Sequence, residues 1–365
     1  MKVLHVILGK ADKNRPNGVN QVIAGLATHT ARLGVPVSVL GLAKSAAHEG
    51  ELVARDGFEV EVYSRPGPAF RAALRKAVGA ADIVHLHGTY SRLNLRVGRL
   101  CAELKTPYVV TLHGGLSPAR NTWRNAWKKD LFHMLFQKRH LERAALIHAL
   151  TEEESTEALE RFRPAAMTVI PNGVDLSDFP APATNRAQNR PIQLGYIGRI
   201  SREKNLDALC EAFAQVNGAG DAQLLLAGPD SPESAAILRR WSAHGVGFVG
   251  PKFGDDKRAF LAGLDLFVHP SRADVFSIGA MEALASGVPL VISRTSDASH
   301  FAGTGAFILC EPTAFGIARA LRRAFNCQAG WPEMARRGRQ LVESRLNWNA
   351  AATDLMAAYK NVLER

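Results

Sequence analysis

Two carboxylates stand close together in the segment from Asp274 to Pro289, D-V-F-S-I-G-A-M-E-A-L-A-S-G-V-P. Asp274 follows an apolar strand predicted over Leu264–His269, and Glu282 lies inside the helix predicted next, which Ser277 is placed to cap. A helix start offers unpaired N–H groups and a positive dipole end, so it favours an anion. The segment therefore predicts a site that binds hydroxyls through carboxylates and an anion through backbone N–H groups, chemistry that suits a nucleotide diphosphate sugar.

A second candidate for anion binding lies in the segment Tyr196–Leu206, Y-I-G-R-I-S-R-E-K-N-L. A buried strand is predicted to end at Gly198, and Arg199 and Lys204 fall in the turn that leads to the next helix. Arg supplies a planar fork of donors and Lys a point charge, so the two can offset negative charge on a diphosphate. Solvated charges near a helix start are the alternative interpretation, and the anion-binding turn at Asp274 in the same predicted sheet weighs against it.

Three histidines end predicted strands: His85 and His87 in I-V-H-L-H-G, and His113 in V-V-T-L-H-G-G. An H-x-H pair without a nearby carboxylate or cysteine is weak evidence for a metal, so His85 and His87 fit structural histidines better. His113 is followed by two glycines that let a ligand approach, and this favours a functional role.

The loop Pro16–Val19, P-N-G-V, joins the first predicted strand to the first helix. Gly18 lets backbone N–H groups approach a ligand there. The spaced glycines of a dinucleotide fingerprint and the G-x-x-x-x-G-K-[S/T] phosphate loop are both missing from the sequence, so NAD binding and a P-loop nucleotide site are not supported.

The segment Leu116–Arg143 combines aromatic and aliphatic residues at helical spacing with many basic residues. Such a helix suits an anionic membrane surface. A helix that packs on its own domain with its charges in solvent is an equally good interpretation. The residues proposed for membrane or acceptor contact are Arg120, Trp123, Arg124, Trp127, Lys128 and Lys129.

Composition limits the remaining classes. The 365 residues are 47% hydrophobic, enough for two cores, and no stretch reads as a membrane span or a signal peptide, so we expect a cytoplasmic protein. The four cysteines are scattered and indicate neither zinc nor disulfides. The net charge of +11 divides into +8 for residues 1–175 (24 basic minus 16 acidic) and +3 beyond (21 minus 18), so the anionic partner is expected at the first half.

Strands and helices alternate along both halves of the chain, which predicts an α/β architecture of two doubly wound, Rossmann-like domains with a ligand cleft between them. Periodicity is lost over 176–191, a stretch rich in Pro, Ala and Asn that we interpret as a linker. The predicted domains are therefore 1–175 and 192–345.

Taken together, these motifs resemble the family 4 glycosyltransferases of the GT-B fold. The segment D-x7-E followed by A-L-A-S-G-V-P-L-V resembles that family's E-x7-E signature, with Asp274 in place of the first Glu. Supporting similarities are I-G-R-I-S-R-E-K-N-L from Ile197, V-I-P-N-G-V-D from Val169, T-L-H-G-G from Thr111 and H-P-S from His269. The end of the chain, 346–365, resembles the family's last helix, which crosses back to the first domain.

The resemblance implies a role for each matching residue. Arg199 and Lys204 are expected to bind the donor diphosphate and Glu282 the ribose hydroxyls, and Gly18 lets the first loop approach the phosphates. Asp274, with the N–H groups of Phe276 and Ser277, is expected to contact the donor sugar, and His113 to lie near its scissile bond. Family members retain the anomeric configuration and generally need no metal or other cofactor. Because Asp is one methylene shorter than Glu, the identity of the donor sugar stays open.

We therefore expect a retaining hexosyltransferase that uses a UDP- or GDP-linked sugar, with the acceptor bound by the first domain and the donor by the second. H-G-G-L-S-P and the basic helix after it are similar to members that build bacterial surface polysaccharides and lipopolysaccharide, which implies a lipid-linked or glycan acceptor and a peripheral position on the inner membrane face. The alternatives are another GT-B enzyme, such as a nucleotide-sugar epimerase or a phosphorylase, and a non-catalytic basic binding protein. Nucleic acid is not an expected partner.

Overall fold

The computed structural model describes residues 1–11, 18–43, 49–117, 126–180, 190–218, 220–275, 277–296 and 299–365. The chain folds into two compact units, one of Met1–Asn172 with Trp348–Arg365 and one of Gly173–Asn347. The second unit thus begins before the predicted linker at 176–191, and Phe179 is buried among its core residues. Residues 181–189 of that linker lie outside the described residues.

The first unit contains an eight-stranded sheet in the order β3-β4-β2-β1-β5-β6-β7-β8, in which only β3 pairs antiparallel. Strands β1 and β5 are buried at every residue, as expected for parallel strands covered by helices on both faces. The strands are β1 Val3–Ile7, β2 Val37–Leu42, β3 Leu52–Arg55, β4 Phe58–Tyr63, β5 Ile83–His87, β6 Tyr108–Thr111, β7 Leu146–Ala149 and β8 Met167–Val169.

Helices of the first unit begin at side-chain caps where the sequence supplies them. Ser91 Oγ accepts from Asn94 N at 3.2 Å. Thr151 caps the helix that carries three glutamates in its first turn, where their negative charge interacts favourably with the positive end of the helix dipole. The helices are α1 Gly18–Arg32, α2 Pro68–Ala80, α3 Arg92–Leu104, α4 Ala126–Phe132, α5 Lys138–Glu142 and α6 Glu152–Arg161, with a π-helical turn at His133–Gln137 between α4 and α5. The C-terminal helix, Trp348–Leu363, packs on α1 in the same unit, where Trp348 occupies the space that a side chain at Gly25 would need.

The second unit contains a fully parallel six-stranded sheet in the order β11-β10-β9-β12-β13-β14. Its strands are β9 Ile192–Ile197, β10 Ala222–Ala227, β11 Val246–Phe248, β12 Leu266–His269, β13 Leu290–Ser293 and β14 Phe307–Cys310. Its helices are α7 Leu206–Val216, α8 Pro232–Trp241, α9 Gly254–Ala262, α10 Ile278–Ala285, α11 Ala314–Asn326 and α12 Trp331–Ser344. The C-terminal helix of the chain is α13.

The predicted α/β class with two doubly wound sheets is confirmed by these topologies. Among the described residues, none of the helices has both the length and the apolar content that crossing a membrane requires.

Candidate active site

Each sheet has one point where the strand order reverses, and this point locates the site. In the first sheet the chain moves from β1 through β2 to β4 and then returns to place β5 beside β1; in the second it moves from β9 to β11 and returns to place β12 beside β9. Open α/β sheets bind ligands outside the carboxyl ends of the strands at such a point. The predicted site residues that follow β9 and β12, and those that follow β5 and β6, therefore stand where ligands are expected.

Lys204 and Asp274 meet at the reversal point of the second sheet. Lys204 Nζ contacts Asp274 Oδ2, and the two side chains are only 14% and 12% exposed. His269, the last residue of β12, donates from Nε2 to the same Asp274 oxygen at 2.9 Å. Burial lowers the pKa of His269 although Asp274 opposes this, so the imidazole is neutral and the contact is a hydrogen bond. The site thus holds one ammonium and one carboxylate, with a neutral ring that orients the carboxylate.

The turns that carry Lys204 and Asp274 are joined to each other by hydrogen bonds. Asn205, which has a left-handed φ of 60°, donates from Nδ2 to Pro270 O at 3.1 Å and accepts at Oδ1 from Arg272 Nε at 2.7 Å. Arg272 N donates to Glu203 O at 2.8 Å. These hydrogen bonds join the two turns to each other. The distance between Lys204 and Asp274 is therefore set by the backbone of the turns as well as by the two side chains.

Glu282 forms a second ion pair that sequence reasoning did not foresee. Its Oε1 lies 2.5 Å from Lys257 Nζ of α9, and the side chains are 10% and 18% exposed. Burial raises the pKa of Glu282, and the Lys257 charge opposes that rise. Lys257 is therefore the partner that lets a buried carboxylate on α10 carry charge.

Gly198 and Arg199 directly follow β9, and Ser277 directly precedes α10. Gly198 has a φ of 153°, and a Cβ there would lie 2.6 Å from Tyr196 Oη, so only glycine fits at the end of β9. Arg199 is exposed at this turn. Ser277 is the N-cap residue of α10, but its side chain makes no capping hydrogen bond, so the predicted capping role is wrong for the hydroxyl. Phe276 lies outside the described residues.

His113 occupies a strained position just after β6. Its φ is 54°, a conformation that few non-glycine residues adopt, and such strain is typical of functional sites. Glu154, a 2% exposed residue at the start of α6, accepts the N–H of Gly114 at Oε1 and the N–H of Leu150 at Oε2, the latter at 2.6 Å. The carboxylate therefore fixes the backbone immediately after His113.

The imidazole of His113 belongs to a buried histidine cluster in the first unit. Its Nε2 lies 3.1 Å from His87 Nδ1, and His87 Nε2 lies 2.9 Å from Nδ1 of His5 in β1. His85 contacts the hydroxyl of Tyr359 on α13 and lies 2.6 Å from Thr111 Oγ1. His85 and His87 thus have hydrogen-bond partners, as the interpretation of structural histidines expects.

Gly18 is the exposed first residue of α1, and the rest of its loop, residues 12–17, lies outside the described residues. Asn20 binds two backbone N–H groups of the segment after β1: its Oδ1 accepts from Lys10 N at 2.9 Å and from Ala11 N at 3.0 Å. The structure therefore brings Lys204 and Asp274 together, and it groups His113 with His87. The predicted roles of all these residues stay predictions.

Two sequence families match this chain. The family described as "Glycosyl transferase 4-like domain" matches residues 17–173, and the family described as "Glycosyl transferases group 1" matches residues 191–326. This chain belongs to the family 4 glycosyltransferases. The division between the two matches falls in the segment where the two folded units also divide.

Relatives and solved structures agree with the family 4 assignment. A Mycobacterium tuberculosis glycogen synthase is 27% identical over 69% of this chain and 63% of its own length. A GDP-mannose-dependent alpha-(1-6)-phosphatidylinositol dimannoside mannosyltransferase from the same species is 33% identical over 55% of this chain and 54% of its own length. The matched part thus spans less than two thirds of either relative. Sucrose-phosphate synthase from Thermosynechococcus elongatus has a TM-score of 0.80 at 19% identity over 100% of both chains, which confirms the GT-B fold.

The basic segment of this family 4 chain exposes its apolar residues. Residues 118–125, which include Arg120, Trp123 and Arg124, lie outside the described part. In α4 and the π-helical turn, Lys128 Nζ lies 5.5 Å from the ring centre of Trp127, and Lys129 Nζ lies 5.5 Å from that of Tyr90. The large apolar side chains exposed here are Trp127 (66%), Leu131 (43%), Met134 (67%), Leu135 (56%) and Phe136 (46%). These five side chains do not pack on their own domain, so the alternative interpretation of this segment does not hold for them.

Sequence reasoning missed three residues that contact predicted segments, His5, Glu154 and Lys257, and it assigned no role to His269. The three missed residues lie 82, 40 and 25 positions from their partners His87, Gly114 and Glu282. No local spacing connects them. His269 was noted as part of H-P-S, five residues before Asp274, and its place as the last residue of a buried strand was the one available signal.

Proposed function

We propose that this chain is a retaining hexosyltransferase that moves a sugar from a nucleotide diphosphate donor to an acceptor hydroxyl. In this reaction the anomeric C–O bond to the diphosphate breaks, a bond to the acceptor oxygen forms, and the acceptor proton leaves with the nucleoside diphosphate. The observation that carries the proposal is the Lys204–Asp274–His269 group at the reversal point of the second sheet. Family membership and the GDP-mannose dependence of one relative support it.

The donor diphosphate is assigned to Lys204 and Arg199. Lys204 is held by Asp274 beside the end of β9, and its ammonium can exchange part of that contact for phosphate oxygens. The exposed Arg199 adds a fork of donors in the same turn. Positive charge at this position stabilises the charge that develops on the departing diphosphate. We assign this role to the two side chains and to no divalent cation.

The hydroxyls of the donor are assigned to the two carboxylates. Glu282, charged beside Lys257, is proposed to accept hydrogen bonds from the ribose, and Asp274 from the sugar. One Asp274 oxygen already contacts Lys204 and His269, so the sugar meets a carboxylate whose orientation is set in advance. His113 is assigned to the sugar near the scissile bond.

The acceptor is proposed to be a lipid-linked or glycan precursor of the cell envelope, reached at an anionic membrane surface. Support comes from the cluster of exposed apolar side chains at 127–136, flanked by Lys128, Lys129, Lys138 and Arg139. Exposed apolar residues insert among lipid chains while basic residues bind anionic headgroups, and each Lys or Arg near such a surface contributes about 1 kcal/mol.

The donor assignment is tested with Lys204→Met and Arg199→Gln in a transfer assay with UDP-, GDP- and ADP-linked sugars. Loss of one charge-assisted contact costs about 1.5–3 kcal/mol, so turnover should fall about ten- to hundredfold. Arg336→Gln is the control, because Arg336 is 55% exposed and pairs with Glu333 on the surface of the same unit. Parent rates in both site variants would overturn the diphosphate assignment, and a release of free sugar without an acceptor would indicate a different reaction.

The membrane assignment is tested by sedimentation with vesicles of phosphatidylcholine alone or mixed with phosphatidylglycerol. We expect binding only to the anionic vesicles, reversal by salt, and weaker binding of Met134→Ser. Phe315→Ser is the matched control, because Phe315 is 70% exposed and lies in the second unit. Equal binding to both kinds of vesicle, or equal effects of the two variants, would contradict this part of the proposal.

A further inference from the structure

Three histidines of the first unit form a continuous hydrogen-bonded chain that ends at His113. His5 Nδ1 lies 2.9 Å from His87 Nε2, and His87 Nδ1 lies 3.1 Å from His113 Nε2. The rings of His5 and His87 stack with centres 5.2 Å apart and an angle of 22° between their planes. Both nitrogens of His87 are therefore committed to other histidines, so its protonation is coupled to theirs.

The first two members of the chain are neutral. His5 and His87 are 1% and 7% exposed. Burial lowers the pKa of His5 to about 4, and burial together with the surrounding histidines keeps the pKa of His87 well below its ordinary value. A neutral imidazole has one N–H donor and one acceptor nitrogen, so each ring donates on one side and accepts on the other.

The direction of hydrogen-bond donation along the three histidines follows from His5 Nε2, the ring nitrogen that does not contact His87. His5 Nε2 is buried and has no hydrogen-bond partner within the described residues. Orphaned buried N–H groups are rarer in proteins than acceptors short of a donor, so the lone pair rather than the proton is placed at Nε2. His5 then donates from Nδ1 to His87 Nε2, and His87 donates from Nδ1 to His113 Nε2. His113 accepts at Nε2, which leaves its proton on Nδ1.

The same rings do not suit a metal ion. Nitrogens of His5, His85 and His87 lie within 4.8 Å of one another. However, the ring planes are within 31° of parallel, and imidazole lone pairs lie in the ring plane, so three stacked rings do not direct them at one point. Both nitrogens of His85 also have partners already, Tyr359 and Thr111.

We propose that His5 and His87 are positioning residues that hold His113 as a neutral Nδ1–H tautomer, so that His113 serves the transfer as a hydrogen-bond donor and not as a proton acceptor at Nε2. An imidazolium form of His113 would carry a proton on Nε2 as well and would point it at the Nδ1–H of His87. The hydrogen bonds among the three histidines therefore disfavour the charged form of His113. The proposed acceptor of this Nδ1–H of His113 is a sugar hydroxyl or a phosphate oxygen of the nucleotide sugar. The catalytic part of this inference rests on the proposed function; the tautomer does not.

The tautomer is measured first, by ¹⁵N NMR of the imidazole nitrogens in the whole protein, with the His113 signals identified by their loss in His113→Gln. His5→Leu removes the donor at the far end of the chain, and His5→Asn restores an N–H near the position of Nδ1. His140→Leu is the matched control, because His140 is also buried, has a pKa lowered to about 4 and has an Nε2 without a partner in the described part of the chain, yet its contact is with Tyr108.

We expect the unmodified protein to show His113 protonated at Nδ1, and His5→Leu to show a mixture with the Nε2 tautomer. In the transfer assay His5→Leu should lower kcat about tenfold with little change in KM for the donor, and His5→Asn should recover most of the loss. An Nε2–H tautomer in the unmodified protein overturns the inference, and so does a stoichiometric metal ion that is lost in His5→Leu. Equal loss of kcat in His5→Leu and His140→Leu overturns the positioning role.

The two proposals fail separately. If no transfer is detected with any donor, the proposed function fails while the spectrum of the unmodified protein still decides the tautomer. If His5→Leu does not fold, that same spectrum and the His5→Asn variant carry the test.

Discussion

The two sheets share a topology but present opposite chemistry at their reversal points. The first sheet gathers neutral imidazoles, His5, His85 and His87, whose pKa values burial lowers. The second gathers the ion pairs Lys204–Asp274 and Lys257–Glu282, with side chains 10–18% exposed. An α/β sheet therefore supplies a location for chemistry, whereas the residues after each strand decide its kind. Three predictions test this contrast, and a fourth tests a detail of the second unit.

The largest effect is expected for Asp274→Asn. The change removes the carboxylate and leaves Lys204 as a mostly buried ammonium without its charged partner, a defect that costs about 3–5 kcal/mol in buried pairs. Turnover should fall more than a hundredfold, and Asp274→Glu, which restores the family residue, should recover part of it with an altered ranking of donor sugars. Glu333→Gln, on an exposed helix of the same unit, serves as control. A rate unchanged in Asp274→Asn would show that the ion pair is only structural.

Lys257→Met should destabilise the second unit by about 3 kcal/mol, because it leaves Glu282 buried without a counter-charge. Burial already raises the pKa of Glu282, and the variant raises it further. A carboxyl with a raised folded pKa penalises folding once pH exceeds its unfolded pKa, so the deficit should be larger at pH 7 than near pH 4.5. Urea unfolding at the two pH values measures it, and Lys257→Met with Glu282→Gln should recover stability. An equal deficit at both pH values would contradict this account.

The first unit should lose stability as pH falls from about 6.5 towards 4. Burial lowers the pKa of His5 and His148 from 6.5 to about 4, so between these values the unfolded chain binds more protons than the folded one. The free energy of opening should drop by about 1 kcal/mol or more between pH 7 and 5. Amide hydrogen exchange, corrected for intrinsic rates, should show this in peptides of β5 and much less in those of β9. A similar drop in both would remove the contrast between the units.

The smallest effect is expected at Ser277. Its hydroxyl makes no capping bond, so Ser277→Ala should change the free energy of unfolding by less than about 0.5 kcal/mol. Thr313→Ala is the comparison, because Thr313 Oγ1 accepts from Gly316 N at 3.0 Å and its loss should cost about 1 kcal/mol. Thermal unfolding of both variants measures the difference, and an equal loss would mean that Ser277 does cap α10 in solution.

Patterns along the chain predicted the fold and part of the site. Alternating strands and helices indicated two doubly wound sheets. The placement of Lys204 and Asp274 in turns of one predicted sheet suggested a common site, and the structure finds the two side chains in contact. The pattern also suggested a cap for Ser277 that the hydroxyl does not form. A cap depends on side-chain orientation at a helix start, which residue type favours but does not decide.

Residue order alone determined the family, the class of fold and the candidates Arg199, Lys204, Asp274 and Glu282 of the second unit, because these depend on local periodicity and on short motifs. Only the tertiary structure decided the partners: Lys257 for Glu282, Glu154 for the backbone after His113, and His5 for His87. The physical reason is that the pairing of β1 with β5 decides which atoms lie within hydrogen-bond distance, and burial decides which groups stay charged. Neither can be read from the spacing of residues along the chain.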